Sequence, residues 1–225
     1  MGERPAVVLL PALGLDARMY APLAEALGDE ADLVALDYPG FAEGGRTGGP
    51  PIRTLDDLSD ALLGAIPRRP AILGGLSLGG TLALMLAARV EPLALLLFAP
   101  GGLRVANARK AAIRGAIAAS PTPHAFARRS LGLDGEDLAS SSFAAHFGEA
   151  RPHVAAYYDH LVRRTWAPGR AAARAETYQA LLLDALEVDM EDVLRANRTP
   201  ADLVWGEDDR VFPAVVNLSF QDNIL

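Results

Sequence analysis

A serine between glycines, Gly75-Leu76-Ser77-Leu78-Gly79, directly follows the apolar run Ala71-Ile72-Leu73-Gly74 and directly precedes the helical pattern Thr81-Leu82-Ala83-Leu84-Met85-Leu86. Few folds accommodate that order. The chain has to leave a strand, turn sharply and enter a helix within one pentapeptide. Gly75 and Gly79 have no Cβ, so they allow both the sharp turn and a close approach of strand and helix. Ser77 then projects at a helix N-terminus, where the helix end favours developing negative charge. The plainer reading of Ser77 is a small residue in a tight turn. The pentapeptide is short enough to recur by chance, so its context decides. A phosphate-binding loop is excluded. Lys110 is the only lysine, which rules out Gly-x-x-x-x-Gly-Lys-Ser/Thr, and Gly-x-Gly-x-x-Gly has no match.

The context is an alternation of strands and helices. Five short apolar runs read as strands: residues 6–10, 33–37, 71–74, 93–98 and 202–205. They are apolar without alternation, as strands covered on both faces are. Helical patterns over 18–27, 55–66 and 80–90 separate the first four. This alternation predicts an α/β fold, a mostly parallel sheet flanked by helices with right-handed crossovers. Residues 102–199 break the rhythm. They hold no convincing strand, only Ala-rich helical stretches interrupted at Pro121, Pro123, Gly132, Gly135, Pro152 and Pro168-Gly169. The division expected is a core of residues 1–101 and 200–225, with 102–199 as a helical cap inserted over the strand ends.

Composition excludes several functions. A chain of 225 residues can bury one substantial core. A net charge of −7 gives no attraction to nucleic acid or to an anionic membrane surface. There is no cysteine, which removes disulfides, thiol catalysis and thiolate metal sites. The apolar run at 6–10 is too short for a signal peptide, and no run reaches transmembrane length. The expectation is a cytoplasmic protein with no cofactor and no metal.

With these residues in view, the chain resembles the α/β-hydrolase family, in its cap-bearing, esterase-like branch, over nearly all its length. Gly75-Leu76-Ser77-Leu78-Gly79 matches that family's nucleophile elbow. Leu9-Leu10-Pro11-Ala12-Leu13-Gly14 resembles the segment after the first long strand, with Pro11-Ala12 where the family has His-Gly. The resemblance gives Leu13 a backbone N–H in the oxyanion hole, with Leu78 as the second donor. Asp37-Tyr38-Pro39-Gly40-Phe41 resembles the family's Asp-x-Pro-Gly-x turn, a structural landmark. Trp205-Gly206-Glu207-Asp208-Asp209 resembles the strand end that carries the acid of the triad, and the Gly-x-x-Asp spacing selects Asp209 over Asp208. The plainer reading of Asp209 is a solvated loop carboxylate, and that of Leu13 a core-facing loop residue.

The chemistry needs these parts. A serine hydroxyl is a poor nucleophile at neutral pH and must lose its proton to a base as it attacks. A histidine oriented by a carboxylate normally takes that proton, and the order along this fold is Ser, acid, His. The resemblance implies one more helix and strand after Asp209, then the histidine. The chain has 225 residues, so 16 follow Asp209, and they hold neither a strand pattern nor a histidine. The last strand and the base are therefore expected to be missing, as in a truncated gene product. The four histidines, His124, His146, His153 and His160, all fall within 102–199 and read as partly exposed cap residues. The cap aromatics Phe126, Phe143, Phe147, Tyr157, Tyr158, Trp166 and Tyr178 read mostly as cap packing.

The functional expectation is a serine hydrolase of the esterase class with Ser77 and Asp209 at its site. Its partner would be a small acyl substrate, and its turnover would be impaired by the missing base. The alternative is a non-catalytic protein of the same fold that binds a small ligand. Without a further strand, residues 202–205 would form an exposed apolar edge, through which the chain is expected to self-associate.

Overall fold

A computed structural model describes residues 4–41, 51–67, 70–101, 107–143, 152–168, 171–188, 190–207 and 209. Five strands form one parallel sheet: β1 (Ala6–Leu10), β2 (Asp32–Ala35), β3 (Ile72–Leu76), β4 (Ala94–Phe98) and β5 (Ala201–Val204). Their order is β2-β1-β3-β4-β5, so β3 is central and all neighbours run parallel. Every predicted strand is present within two residues. β3 continues to Leu76, closer to Ser77 than the sequence suggested. Leu93, expected inside β4, lies before it and is 71% exposed.

Side-chain burial follows position in the sheet. β1 carries Val7, Val8, Leu9 and Leu10, all buried, as a strand covered on both faces should. β5 departs from that expectation. Its burial alternates, with Asp202 and Val204 exposed and Ala201 and Leu203 half-buried, because only one face packs on the core. β5 is the outer strand of the described sheet. Residues 210–225, on which the expected missing strand and the edge argument fall, lie outside the described residues.

Three helices link the strands. The predicted helix at 18–27 is two elements, a 3-10 turn (Ala17–Tyr20) capped by the Asp16 carboxylate, then α1 (Ala21–Leu27) with Pro22 in its first turn. α2 (Leu55–Leu63) starts with a capping box: Thr54 accepts from the Asp57 N–H, and the Asp57 carboxylate accepts from the Thr54 N–H. Leu55, Leu58 and Leu62, spaced i, i+3, i+7, turn one face into the core. α3 (Leu78–Val90) is buried on most of its circumference, as a helix packed against the central strands requires. It stops at Glu91, in a left-handed conformation, with Pro92 following.

Between β4 and β5 the described residues form helices and no strand. These are α4 (Asn107–Ala119), α5 (Pro123–Ser130), Pro152–His160, a π-helical turn Leu161–Thr165, Ala172–Ala185 and Met190–Ala196. Their apolar side chains join the core of the sheet. Phe126, Phe143, Tyr158, Leu161, Trp166 and Tyr178 belong to the same apolar cluster as Val8, Leu10, Leu58 and Leu82. The Asp184 carboxylate accepts the Leu55 N–H at 2.7 Å, which gives α2 a second anion at its N-terminus. Of the aromatics expected to pack here, Phe126, Phe143, Tyr158, Trp166 and Tyr178 are buried and Tyr157 is half-buried. Trp166 meets Tyr178 edge-on at 5.7 Å and reaches Phe41, below it, at 6.4 Å. Phe147 and His146 lie outside the described residues.

Candidate active site

Ser77 occupies the junction of β3 and α3 with φ 53° and ψ −117°. A serine in that region of backbone space is strained by about 1–3 kcal/mol and persists only where its surroundings over-determine it. The Ser77 N–H donates to the Phe98 carbonyl at 2.9 Å. The Ser77 carbonyl accepts from Gly80, Thr81 and Gly101 at 3.0, 3.2 and 3.0 Å. The Thr81 hydroxyl donates to the Gly101 carbonyl at 2.6 Å, so Gly101 is clamped from both sides. A Cβ on Gly101 would stand 3.4 Å from the Ser77 hydroxyl oxygen. Ser77 is half-buried, and its hydroxyl has no hydrogen-bond partner among the described residues.

The two elbow glycines are required by backbone contact. A Cβ on Gly79 would lie 2.0 Å from the Leu10 carbonyl oxygen and 2.7 Å from that of Pro11. A Cβ on Gly75 would lie 2.4 Å from the same Leu10 oxygen. The end of β1 therefore rests directly on the first turn of α3, and the segment leading to Leu13 leaves past Gly79. Two phenols fix that segment. Tyr20 donates to the Leu10 carbonyl at 2.7 Å and accepts the Leu76 N–H at 3.0 Å, which ties β1 to β3 at the turn. Tyr38 donates to the Pro11 carbonyl. Burial raises both phenols well above their ordinary pKa of 10.0, so they remain donors.

The loop after β1 is half-buried at Ala12 and Leu13 and buried at Gly14, Leu15 and Asp16. No described group accepts the Leu13 N–H or the Leu78 N–H. Gly14, at φ 83°, faces Leu131 and Tyr178, each 2.8 Å from where a Cβ would be. Asp37 does more than form a turn: its carboxylate accepts the Ala17 N–H at 2.6 Å.

Asp209 follows β5 at the same end of the parallel sheet as Ser77. Its N–H donates to the Gly206 carbonyl at 3.2 Å, which closes the Gly-x-x-Asp turn, and it is half-buried. Asp208 lies outside the described residues, so the choice between the two carboxylates falls there.

Two of the described histidines make specific polar contacts. His124 lies 3.1 Å from the Trp166 carbonyl oxygen, with its ring beside the indole. His160 is largely buried and has its Nε2 2.8 Å from the Asp16 carboxylate. His153, on the same helix, is exposed as expected. The Asp16–His160 pair was not visible in the sequence. Asp16 could be read there only as a helix-capping residue type.

Comparison with known proteins follows the same lines. The profile of the Alpha/beta hydrolase family matches residues 7–222. A pimeloyl-[acyl-carrier protein] methyl ester esterase of Proteus mirabilis is 35% identical over 81 residues, 36% of this chain and 30% of that protein. The match thus spans less than a third of that relative's length. An esterase from Exiguobacterium antarcticum superposes with TM-score 0.70 at 16% identity, covering 100% of this chain and 80% of the other. A thermophilic esterase from Thermogutta terrifontis gives 0.63 at 23%, covering 95% and 75%. At these identities the two structures show the fold alone. Among the described residues no helix is long and apolar enough to cross a membrane.

Proposed function

This chain belongs to the alpha/beta hydrolase family, and on that premise we propose that it is a serine hydrolase of the esterase type, acting on a small carboxylic ester or similar acyl substrate. The observation that carries the reading is the strained Ser77, held at φ 53° between the central strand and a helix N-terminus. Residues 102–199 serve as the cap that shapes the acyl pocket. The methyl ester esterase among the relatives supports an ester as substrate.

In the proposed reaction the Ser77 hydroxyl gives up its proton and its oxygen bonds to the acyl carbon. The carbonyl electron pair moves onto oxygen, and the Leu13 and Leu78 N–H groups donate to that oxyanion. Each such donor contributes about 3–4 kcal/mol to the transition state. Collapse of the intermediate breaks the bond to the alcohol, which leaves with a proton, and water then hydrolyses the acyl-serine. Asp209 orients the base that takes the Ser77 proton. In the test below, imidazole in the buffer supplies a further base.

The test is covalent labelling of Ser77 by a fluorophosphonate in imidazole buffer, read by intact mass. One adduct per chain, absent in Ser77→Ala, is expected. No Ser77-dependent adduct would overturn the hydrolase reading and favour a ligand-binding protein of the same fold.

A further inference from the structure

The Gly14 carbonyl and the Asp16 N–H, carbonyl and carboxylate, in the loop that carries Leu13, are held by one stretch of the helical segment, Tyr157 to Trp166. The Trp166 Nε1–H donates to the Gly14 carbonyl at 2.8 Å. The Tyr157 hydroxyl accepts the Asp16 N–H at 3.0 Å and donates to the Asp16 carbonyl at 3.3 Å. Burial, with the Asp16 carboxylate beside it, keeps that phenol protonated. The His160 Nε2–H and the Thr165 hydroxyl both donate to Asp16 Oδ2, at 2.8 and 3.0 Å. Arg18 fixes the tautomer: its guanidinium donates to His160 Nδ1 at 2.8 Å, which leaves the ring proton on Nε2.

Two residues on one carboxylate oxygen require an unusual helix. His160 and Thr165 are five apart, and on an α-helix of 3.6 residues per turn they would point about 140° away from each other. The π turn Leu161–Thr165, closed by Trp166 N–H to the Leu161 carbonyl at 2.7 Å, widens the turn and brings both onto the same side. Single π turns cost helix geometry and recur at functional sites. Here the widened turn delivers its donors to Asp16, which is 6% exposed, three residues beyond Leu13.

We propose that Thr165 and His160, on this π turn, are positioning residues for the oxyanion hole: by holding Asp16 they fix the 13–16 loop and with it the Leu13 N–H. The inference rests on the reading of Leu13 as an oxyanion donor. A preorganised donor stabilises the transition state because it needs no reorganisation during reaction. A displacement of about 1 Å is enough to lose most of that benefit. With Pro11-Ala12 in the loop, the hold comes from outside it.

The test measures phosphonylation of Ser77 by a fluorophosphonate in imidazole buffer, separated into the maximal rate, kinact, and the binding constant, KI. Thr165→Val keeps the shape and removes the hydroxyl, and Thr165→Ser restores it. Thr165→Val is expected to lower kinact about tenfold with KI within about twofold, and Thr165→Ser to recover the wild-type rate. Tyr157→Phe, which releases the Asp16 backbone without touching the π turn, is expected to lower kinact in the same way and stands in if Thr165→Val fails to fold. Wild-type kinact in a folded Thr165→Val or Tyr157→Phe protein would overturn the inference alone. Absence of any Ser77-dependent adduct in the wild type would overturn the hydrolase reading and the inference together.

Discussion

In the proposed reaction the elbow at Ser77 and the loop at 13–16 act together, but they are built in opposite ways. The elbow is encoded where it stands. Gly75 and Gly79 flank the serine and admit the Leu10 and Pro11 carbonyls, and backbone bonds within 24 residues hold the strained serine in place. The loop is tied chiefly from afar. Beside its local bonds with Leu15, Arg18 and Met19, the Gly14 carbonyl, the Asp16 N–H and the Asp16 carboxylate take partners 141 to 152 positions away in sequence. A local device tolerates almost no substitution within it, because backbone meets backbone. A remote one is sensitive at positions that no motif marks.

The largest expected effect concerns the elbow's chemistry. Ser77→Ala should lower turnover of p-nitrophenyl esters about 10⁴- to 10⁶-fold, as loss of a nucleophile does. Turnover that survives Ser77→Ala would show that attack does not come from the elbow. Next is Gly79→Ala, whose Cβ meets the Leu10 carbonyl oxygen at 2.0 Å. It should cost about 3 kcal/mol in urea unfolding, the upper end for an overpacked site. A mild cost would mean that the β1 end can withdraw, and the local account of the elbow would fail.

Trp166→Phe tests the remote device. It leaves the buried Gly14 carbonyl without its donor and opens a gap among buried rings, for about 2 kcal/mol in the same assay. A cost confined to a few tenths would mean that the loop holds itself. Ser77→Gly is expected to be about 1 kcal/mol more stable than Ser77→Ala, because only glycine relieves the φ of 53°. Equal stabilities would show the elbow to be unstrained.

The smallest effect is a pH control on a purely local feature, the capping box of α2. Backbone and side-chain hydrogen bonds from Arg53 and Thr54 hold the Asp57 carboxyl below its ordinary value of 3.8. A depressed folded-state pKa gives a contribution that is complete above about pH 4 and is lost as pH falls below it. Asp57→Asn should therefore lower the melting temperature slightly at pH 7 and flatten its decline below pH 4. An unchanged acid limb would remove Asp57 from that balance.

The sheet was legible because parallel strands are short uninterrupted apolar runs and the helices between them repeat every three to four residues. All five strands fall where those runs lie, and the order of elements left little choice of topology. The turn at Ser77 was legible because only glycines allow it. By itself, then, the sequence determined the α/β sheet, the elbow and the candidate nucleophile, since each follows from spacing within about a dozen residues. Only the tertiary structure decided the rest: the split of the 18–27 helix, the one-sided burial of β5, the phenols of Tyr20 and Tyr38 on the β1 carbonyls, and the Asp16 cluster. Those contacts join residues far apart along the chain. A histidine, a threonine and an aspartate carry no periodicity that announces a shared oxygen atom, and the π turn that brings them together is set by packing rather than by the propensity of its residues.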